Sequence, residues 1–167
     1  VSENLVDKIW GQNKRPGFPI DKISIYDDSF AGETSLDKLN YIYNCMQEEN
    51  IDSCIISKSD QIAWLLNLRG NDVKYNPVFV SYCILENINN KKLTKLFIDN
   101  NKVDENIKKY CEKNNIELCE YQSFFEYLNN NKKILNKIWL DPKDISKEVL
   151  NNLIEQNIYY TNNILDK

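Results

Sequence analysis

The 167-residue sequence contains no histidine. That single absence removes a histidine general base, a Ser-His-Asp or Cys-His arrangement, and every zinc site that uses imidazole. Glycine is scarce as well, at four residues. No G-x-G-x-x-G and no G-x-x-x-x-G-K-[ST] occurs, so no nucleotide cradle is written in the chain. G-x-S-x-G is missing too. No apolar run approaches the roughly 18 residues of a membrane span. The opening VSENLVDKIW carries acids and has no apolar core, unlike a secretory signal. Positive charge is not in excess: 21 Lys and Arg stand against 25 Asp and Glu, giving a net charge of −4 and a pI of about 5.0. Neither a nucleic-acid partner nor a membrane partner is expected.

What is present is an ordinary globular balance, 42% hydrophobic and 28% charged. The chain is long enough for one domain with its own core. Its five cysteines, Cys45, Cys54, Cys83, Cys111 and Cys119, form no C-x-x-C pair. Odd in number and set among apolar neighbours, they read as buried thiols of a reducing compartment. Asn, Lys, Ile and Tyr are abundant, and the runs Asn89–Asn90 and Asn129–Asn131 read as loop filler.

Residues 1–20 read as a connector. LVDKIW is a short helical or extended piece, and Arg15-Pro16-Gly17-Phe18-Pro19 is an extended turn, since each proline biases its predecessor away from helix. Residues 27–32 read as loop. Thr34, with Asp37 three positions later, predicts a helix N-cap. Leu36, Leu39, Ile42 or Tyr43, and Met46 then mark one buried face. A strand over 52–57 is followed by a helix over 61–68 capped by Ser59 or Asp60, with Arg69 in its last turn and Gly70 at C′. A loop over 71–76 leads to strands over 78–85 and 95–98, paired as an antiparallel hairpin across a long turn. A helix over 103–114, a strand over 116–121, a helix over 123–128, a strand over 136–140, a helix capped by Ser146 and a strand over 158–161 complete the chain. This order implies one α/β domain over 21–161, with a mixed sheet of about six strands flanked by helices.

Candidate chemistry is thin. Asp27, Asp28, Asp60, Asp72, Asp99 and Asp141 lie near element ends. Converging, such carboxylates could hold Mg²⁺, as in a ribonuclease-H-like nuclease. Acting separately they are caps and turn residues, the commoner use of Asp, and the acidic balance favours that reading. Trp64, among Ile62, Ala63, Leu65 and Leu66, reads as core. Arg69 and Asp72 flank Gly70-Asn71 where an apolar helix gives way to a loop. They serve either as an ion pair tying that loop, with Asp72 accepting loop N–H groups, or as groups facing a neighbouring domain or a ligand.

The stretch Asp60–Tyr82, DQIAWLLNLRGNDVKYNPVFVSY, resembles a signature of the cytosolic, three-domain Xaa-Pro aminopeptidases. The pattern there is D-E-I-A-W-L-x-N-L-R-G-x-D-V-x-x-N-P-V-F-x-S-Y, and Gln61 replaces its acid. Glu3–Trp10, Arg15-Pro16 with Pro19, and Leu96–Asp99 are similar to the same family; beyond residue 100 the likeness rests on element order. The resemblance implies the second of two related N-terminal domains, of ribonuclease-H-like creatinase/prolidase N-terminal type, ahead of a pita-bread catalytic domain. Residues 1–20 would lead out of the first domain, and 162–167 would begin the linker to the third. The parent enzyme so implied is cytoplasmic and homodimeric. It removes an N-terminal residue that precedes proline, using two Mn²⁺ ions held by two Asp, one His and two Glu of its catalytic domain. No catalytic residue and no metal ligand can be carried onto the present sequence, so none is expected in it. The remaining candidates are Arg69, Asp72 and Asn76, as an edge that meets the first or catalytic domain or narrows the approach of a peptide with penultimate proline. A stand-alone Mg²⁺-dependent nuclease and an interaction module without a peptidase remain the alternatives.

Overall fold

The computed structural model describes residues 5–10, 17–132, 135, 137–141, 143–153 and 157–160. Among these, the helices are α1 (Leu5–Trp10), α2 (Asp28–Ala31), α3 (Ser35–Glu48), α4 (Ser59–Leu65), α5 (Glu105–Lys113), α6 (Phe124–Asn130) and α7 (Lys147–Asn152). The strands are β1 (Ser24–Ile25), β2 (Ser53–Ile56), β3 (Leu68–Arg69), β4 (Tyr82–Ile88), β5 (Lys91–Ile98), β6 (Ile116–Glu120), β7 (Lys137–Leu140) and β8 (Asn157–Tyr160). Six strands form one mixed sheet in the order β6-β5-β4-β2-β7-β8, and β1 pairs with β3 apart from it. β4 is antiparallel to both β2 and β5; the pairs β5–β6, β2–β7 and β7–β8 are parallel.

Alternation along the strands builds two cores, because successive side chains leave a strand on opposite faces. Cys54, Ile56, Cys83, Leu85, Leu96 and Ile98 face a layer containing Leu39, Ile42 and Met46 of α3, Ile62 and Leu65 of α4, and Ile107 and Cys111 of α5. Ile55, Ile84, Phe97, Ile138 and Leu140 face Phe124 and Leu128 of α6, with Val149 and Leu153 in and just after α7. The result is a sheet between two helical layers. β2 is buried at all four positions, as a central strand covered on both faces requires.

Local chemistry accounts for most boundaries. Thr34 Oγ1 accepts the Asp37 N–H at 3.1 Å and donates to the Asp37 carboxylate at 2.6 Å. Ser146 caps α7 through the Val149 N–H. Leu36 is exposed, and Ser35 and Lys38 take buried places on α3 instead. The β4–β5 hairpin is longer than expected and its turn shorter. Asn89 and Asn90 alone make the turn, at φ 52° and 62°. Two consecutive positive φ values match strand twist in a two-residue turn, and Asn tolerates them; these residues set the register and are not filler. Residues 78–81, expected as the start of this strand, precede it; the strand begins at Tyr82. The expected loop over 27–32 is a helical turn, capped by Asp27 at its start and by Gly32 at φ 76°. All five cysteines are free. The connector expected over 1–20 is described only at 5–10 and 17–20, and the linker start expected at 162–167 lies outside the described residues.

Candidate domain-interface site

The exit of α4 organises the region that the sequence singles out. The helix starts at Ser59 behind Lys58, which makes no side-chain cap, and Asp60 bonds the Gln61 N–H at 2.9 Å. It ends at Leu65, three residues earlier than expected. The left-handed residue after its C-cap is Asn67, at φ 49°, and not Gly70. Gly70 is required for a different reason: a Cβ there would lie 2.6 Å from Phe79 Cβ and 2.9 Å from the Val78 carbonyl. Its N–H donates to Pro77 O at 3.3 Å, and the Asp72 N–H donates to Val78 O at 3.2 Å, so the 70–79 segment folds back upon itself.

α4 has no basic residue in its last turn. Its terminal carbonyls, which lack intrahelical partners, are satisfied from outside. Arg69 Nη1 donates to Ala63 O at 2.6 Å and to Leu68 O at 2.9 Å. Lys38 Nζ donates to Trp64 O at 2.8 Å, and Tyr110 OH donates to Leu66 O at 3.0 Å. Two cations at a helix C-terminus also oppose its negative dipole end. Burial pushes the Lys38 pKa below the ordinary lysine value, with Glu33 opposing. Asn67 ties this cluster to the segment before α3. Its side chain accepts from Lys38 Nζ at 2.7 Å and donates to the Asp28 carboxylate at 2.8 Å and to Glu33 O at 2.9 Å. Its carbonyl takes the Tyr26 N–H at 2.7 Å.

The three candidates from the sequence occupy different settings. Arg69 is partly exposed, with its guanidinium 4.3 Å from the Tyr26 ring centre. Asp72 points inward. Its Oδ2 accepts the Val80 N–H at 2.6 Å and an ion pair from Lys102. The two side chains are 1% and 0% exposed. The expected tie between Arg69 and Asp72 is therefore replaced by Asp72–Lys102, whereas the expected acceptance of a loop N–H by Asp72 is present. Asn76 is exposed and closes the tip, its N–H on Val73 O at 3.0 Å and its carbonyl accepting from Val78 N at 2.8 Å. Trp64 is not core: it is 44% exposed and carries the Lys38 ammonium 4.3 Å above its ring. Tyr26, Phe30, Lys38, Asn67 and Lys102 escaped the sequence reading. A signal existed for Asn67, inside the N-L-R-G string, and for Phe30, apolar inside a capped polar turn; Lys102 had none.

The scattered acids stay scattered. Asp27 caps α2, Asp99 accepts the Asn101 N–H at 2.8 Å and Asp141 accepts the Lys143 N–H at 2.8 Å. Among the described residues no group of three or more His, Cys, Asp or Glu is placed to hold a metal ion. The residues here do not fit a metal centre, and no chemical step is assigned to them. The place where α/β sheets commonly bind ligands is the crevice at parallel strand ends where flanking helices leave for opposite faces. Here that crevice lies beyond β2 and β7. It is lined by Ser57, Gln61, Asp141 and Asp144 and holds a cavity of about 20 Å³, room for about one water molecule.

Residues 14–166 match the family described as the creatinase/prolidase N-terminal domain. The chain belongs to that family. This creatinase/prolidase N-terminal domain is 39% identical over 145 residues to Xaa-Pro aminopeptidase 1 of Dictyostelium discoideum, an alignment covering 84% of the chain but 22% of that relative. It is 38% identical over 126 residues to a probable Xaa-Pro aminopeptidase P of Blastomyces gilchristii, covering 75% of the chain and 19% of the relative. The chain thus spans about a fifth of the length of the curated relatives it matches. Among solved structures, an X-prolyl aminopeptidase of Caenorhabditis elegans, described as a cytosolic enzyme with a di-nuclear active site, shares the fold at a TM-score of 0.81 and 24% identity, over 99% of this chain and 27% of that one. The mixed-sheet architecture expected from the element order is that of this family.

Proposed function

We propose that this domain is the non-catalytic second domain of a cytoplasmic, homodimeric Xaa-Pro aminopeptidase. In this reading the parent removes an N-terminal residue that precedes proline. Its two metal ions, Mn²⁺ by the resemblance, sit in a separate catalytic domain. The observation that carries the reading is the pairing of 39% identity to a named Xaa-Pro aminopeptidase with coverage of only 22% of it. A chain without histidine and of that relative length is suited to architecture and access, with the chemistry placed elsewhere. Residues 1–20 connect it to a preceding domain and 162–167 begin the linker to the catalytic one.

Within this reading the 68–77 stretch forms an edge toward the neighbouring domain. Arg69 and Asn76 present polar groups outward, and Asp72 holds the loop from within through Lys102. An aminopeptidase must admit a free N-terminus and exclude folded chains, and walls supplied by accessory domains serve that need. The test is the native polypeptide itself. Its mass and downstream sequence should extend several hundred residues and supply the Asp, Asp, His, Glu and Glu ligand set, and the purified protein should release the first residue of Xaa-Pro peptides. A native protein ending near Lys167 refutes the reading.

A further inference from the structure

We infer that the cavity between α3, β5 and the turn joining α5 to β6 is a binding site for a short-chain monocarboxylate, its carboxylate taken by Lys92 and the Tyr43–Thr94 hydroxyl pair and its hydrocarbon end laid along Leu36. The cavity has a volume of about 80 Å³. That is about half of the roughly 150 Å³ that holds a benzene ring, room for about three or four heavy atoms. A carboxylate and the carbon that bears it fill such a space. The rest of a short chain then lies in the mouth, where Leu36 is 41% exposed.

The floor of the cavity asks for an acceptor. Tyr43 and Thr94 are 4% and 2% exposed, and their hydroxyls meet at 2.9 Å. Two hydroxyls carry two protons, and the bond between them uses one. The other has no acceptor among the described residues, in a buried place where an unspent polar hydrogen is costly. Beside this pair Lys92 Nζ lies 5.4 Å from the Tyr43 ring centre, and it forms no ion pair among the described residues. The exposed amides of Asn40 and Asn115 complete the rim, and neither side chain bonds another described residue. No acid lines the cavity. The acids nearest in sequence to its walls are engaged, Asp37 with Thr34 and Glu117 with Lys95. One cation and several donors with no negative group are the complement of a carboxylate, whose charge-assisted bonds offset its desolvation. Leu36 and Leu39 add the apolar wall that a carboxylate with a hydrocarbon end uses and a bare inorganic anion does not.

Competitive labelling of the full-length native protein tests this, with Lys91 as the internal control. Sodium butyrate at about 20 mM, well above the roughly millimolar Kd within reach of so small a ligand, should slow acetylation of Lys92 by an N-hydroxysuccinimide ester at least about five-fold and leave Lys91 unchanged. The same concentration of n-butanol or of sodium chloride should not protect Lys92. Asn40→Asp, an exposed change that places an acid on the rim, should remove most of the protection. Lys92 labelling that butyrate does not slow overturns the site. Equal protection by chloride reduces the effect to screening, and equal protection by butanol reduces it to an apolar hole; either overturns carboxylate recognition. Undiminished protection in N40D overturns it too, since butyrate would then act from elsewhere.

Discussion

Replacing Asp72 by Ala should be among the most damaging single changes in this domain. The Asp72 and Lys102 side chains are 1% and 0% exposed. Lys102 follows β5, and its carbonyl accepts the Ile23 N–H at 3.0 Å, while its ammonium lies 5.7 Å from the Phe18 ring centre. The pair thus joins the 70–77 loop, the end of the hairpin and the incoming 17–23 segment. D72A would strand the Lys102 ammonium in the interior and leave the Val80 N–H unpaired. Removing one partner of a buried pair costs about 3–5 kcal/mol. That is a large share of the roughly 5–15 kcal/mol by which domains are stable. At roughly 2–4 °C per kcal/mol for a chain of this size, Tm should fall by about 10 °C. The assay is urea unfolding of wild type, D72A, K102M and the double variant. Because D72A/K102M buries no charge, its loss should fall short of the sum of the two single losses by roughly 2 kcal/mol or more, within the range seen for directly coupled residues. A D72A loss below about 1 kcal/mol, or strict additivity, would refute the reasoning.

Three further outcomes follow from the same structure. Gly70→Ala forces a methyl group against Phe79 Cβ and the Val78 carbonyl; it should cost about 1–3 kcal/mol, and a neutral result in the same urea assay would show that the fold-back opens easily. Thr34→Ala removes the α3 cap and should cost about 1 kcal/mol, with Thr34→Ser recovering most of it. Burial pushes Cys119 up to about 11, Cys54 and Cys111 up to about 12, and Tyr110 and Tyr121 up to about 12. The folded chain holds these protons where the unfolded chain, with ordinary values of 9.0 and 10.0, releases them. Their contribution is complete below about pH 9 and is lost as pH rises toward 11–12. Urea midpoints should fall steadily from pH 8.5 to 10.5, and a flat profile counts against buried thiols and phenols.

Much of the fold was legible because it depends on local pattern. The 34–48 helix announced itself by a cap and a 3.6-residue period, and the central strand by an unbroken apolar run. Ser146 marked α7 in the same way. The misreadings have one cause, namely positions where distant backbone decides local conformation. Gly70 looked like a helix terminator because glycine commonly is one; its real constraint is Phe79, nine residues away in sequence. Asn67 took the terminating role because the buried Lys38 ammonium, the Asp28 carboxylate and the Glu33 carbonyl all bond its side chain there. Trp64, apolar among apolar neighbours, faces outward because Ile62 and Leu65 occupy the core side of a helix only seven residues long. Asn89 and Asn90 turn the chain in two residues because the strands on either side are long enough to pair right up to them.

The candidate site divides the same way. The D-Q-I-A-W-L-L-N-L-R-G-N-D string located the region, and the absence of histidine barred imidazole chemistry from it. Both are properties of composition and order, which the sequence determined alone. Which carboxylate meets which cation was not. Arg69 and Asp72 are three residues apart, close enough to pair, yet one guanidinium edge went to the carbonyls ending α4 and the carboxylate went to Lys102, 30 residues downstream. Pairing inside a protein goes to the partner whose burial leaves no charge uncompensated. Only the packing of the β5 end against the 70–77 loop decides which partner that is.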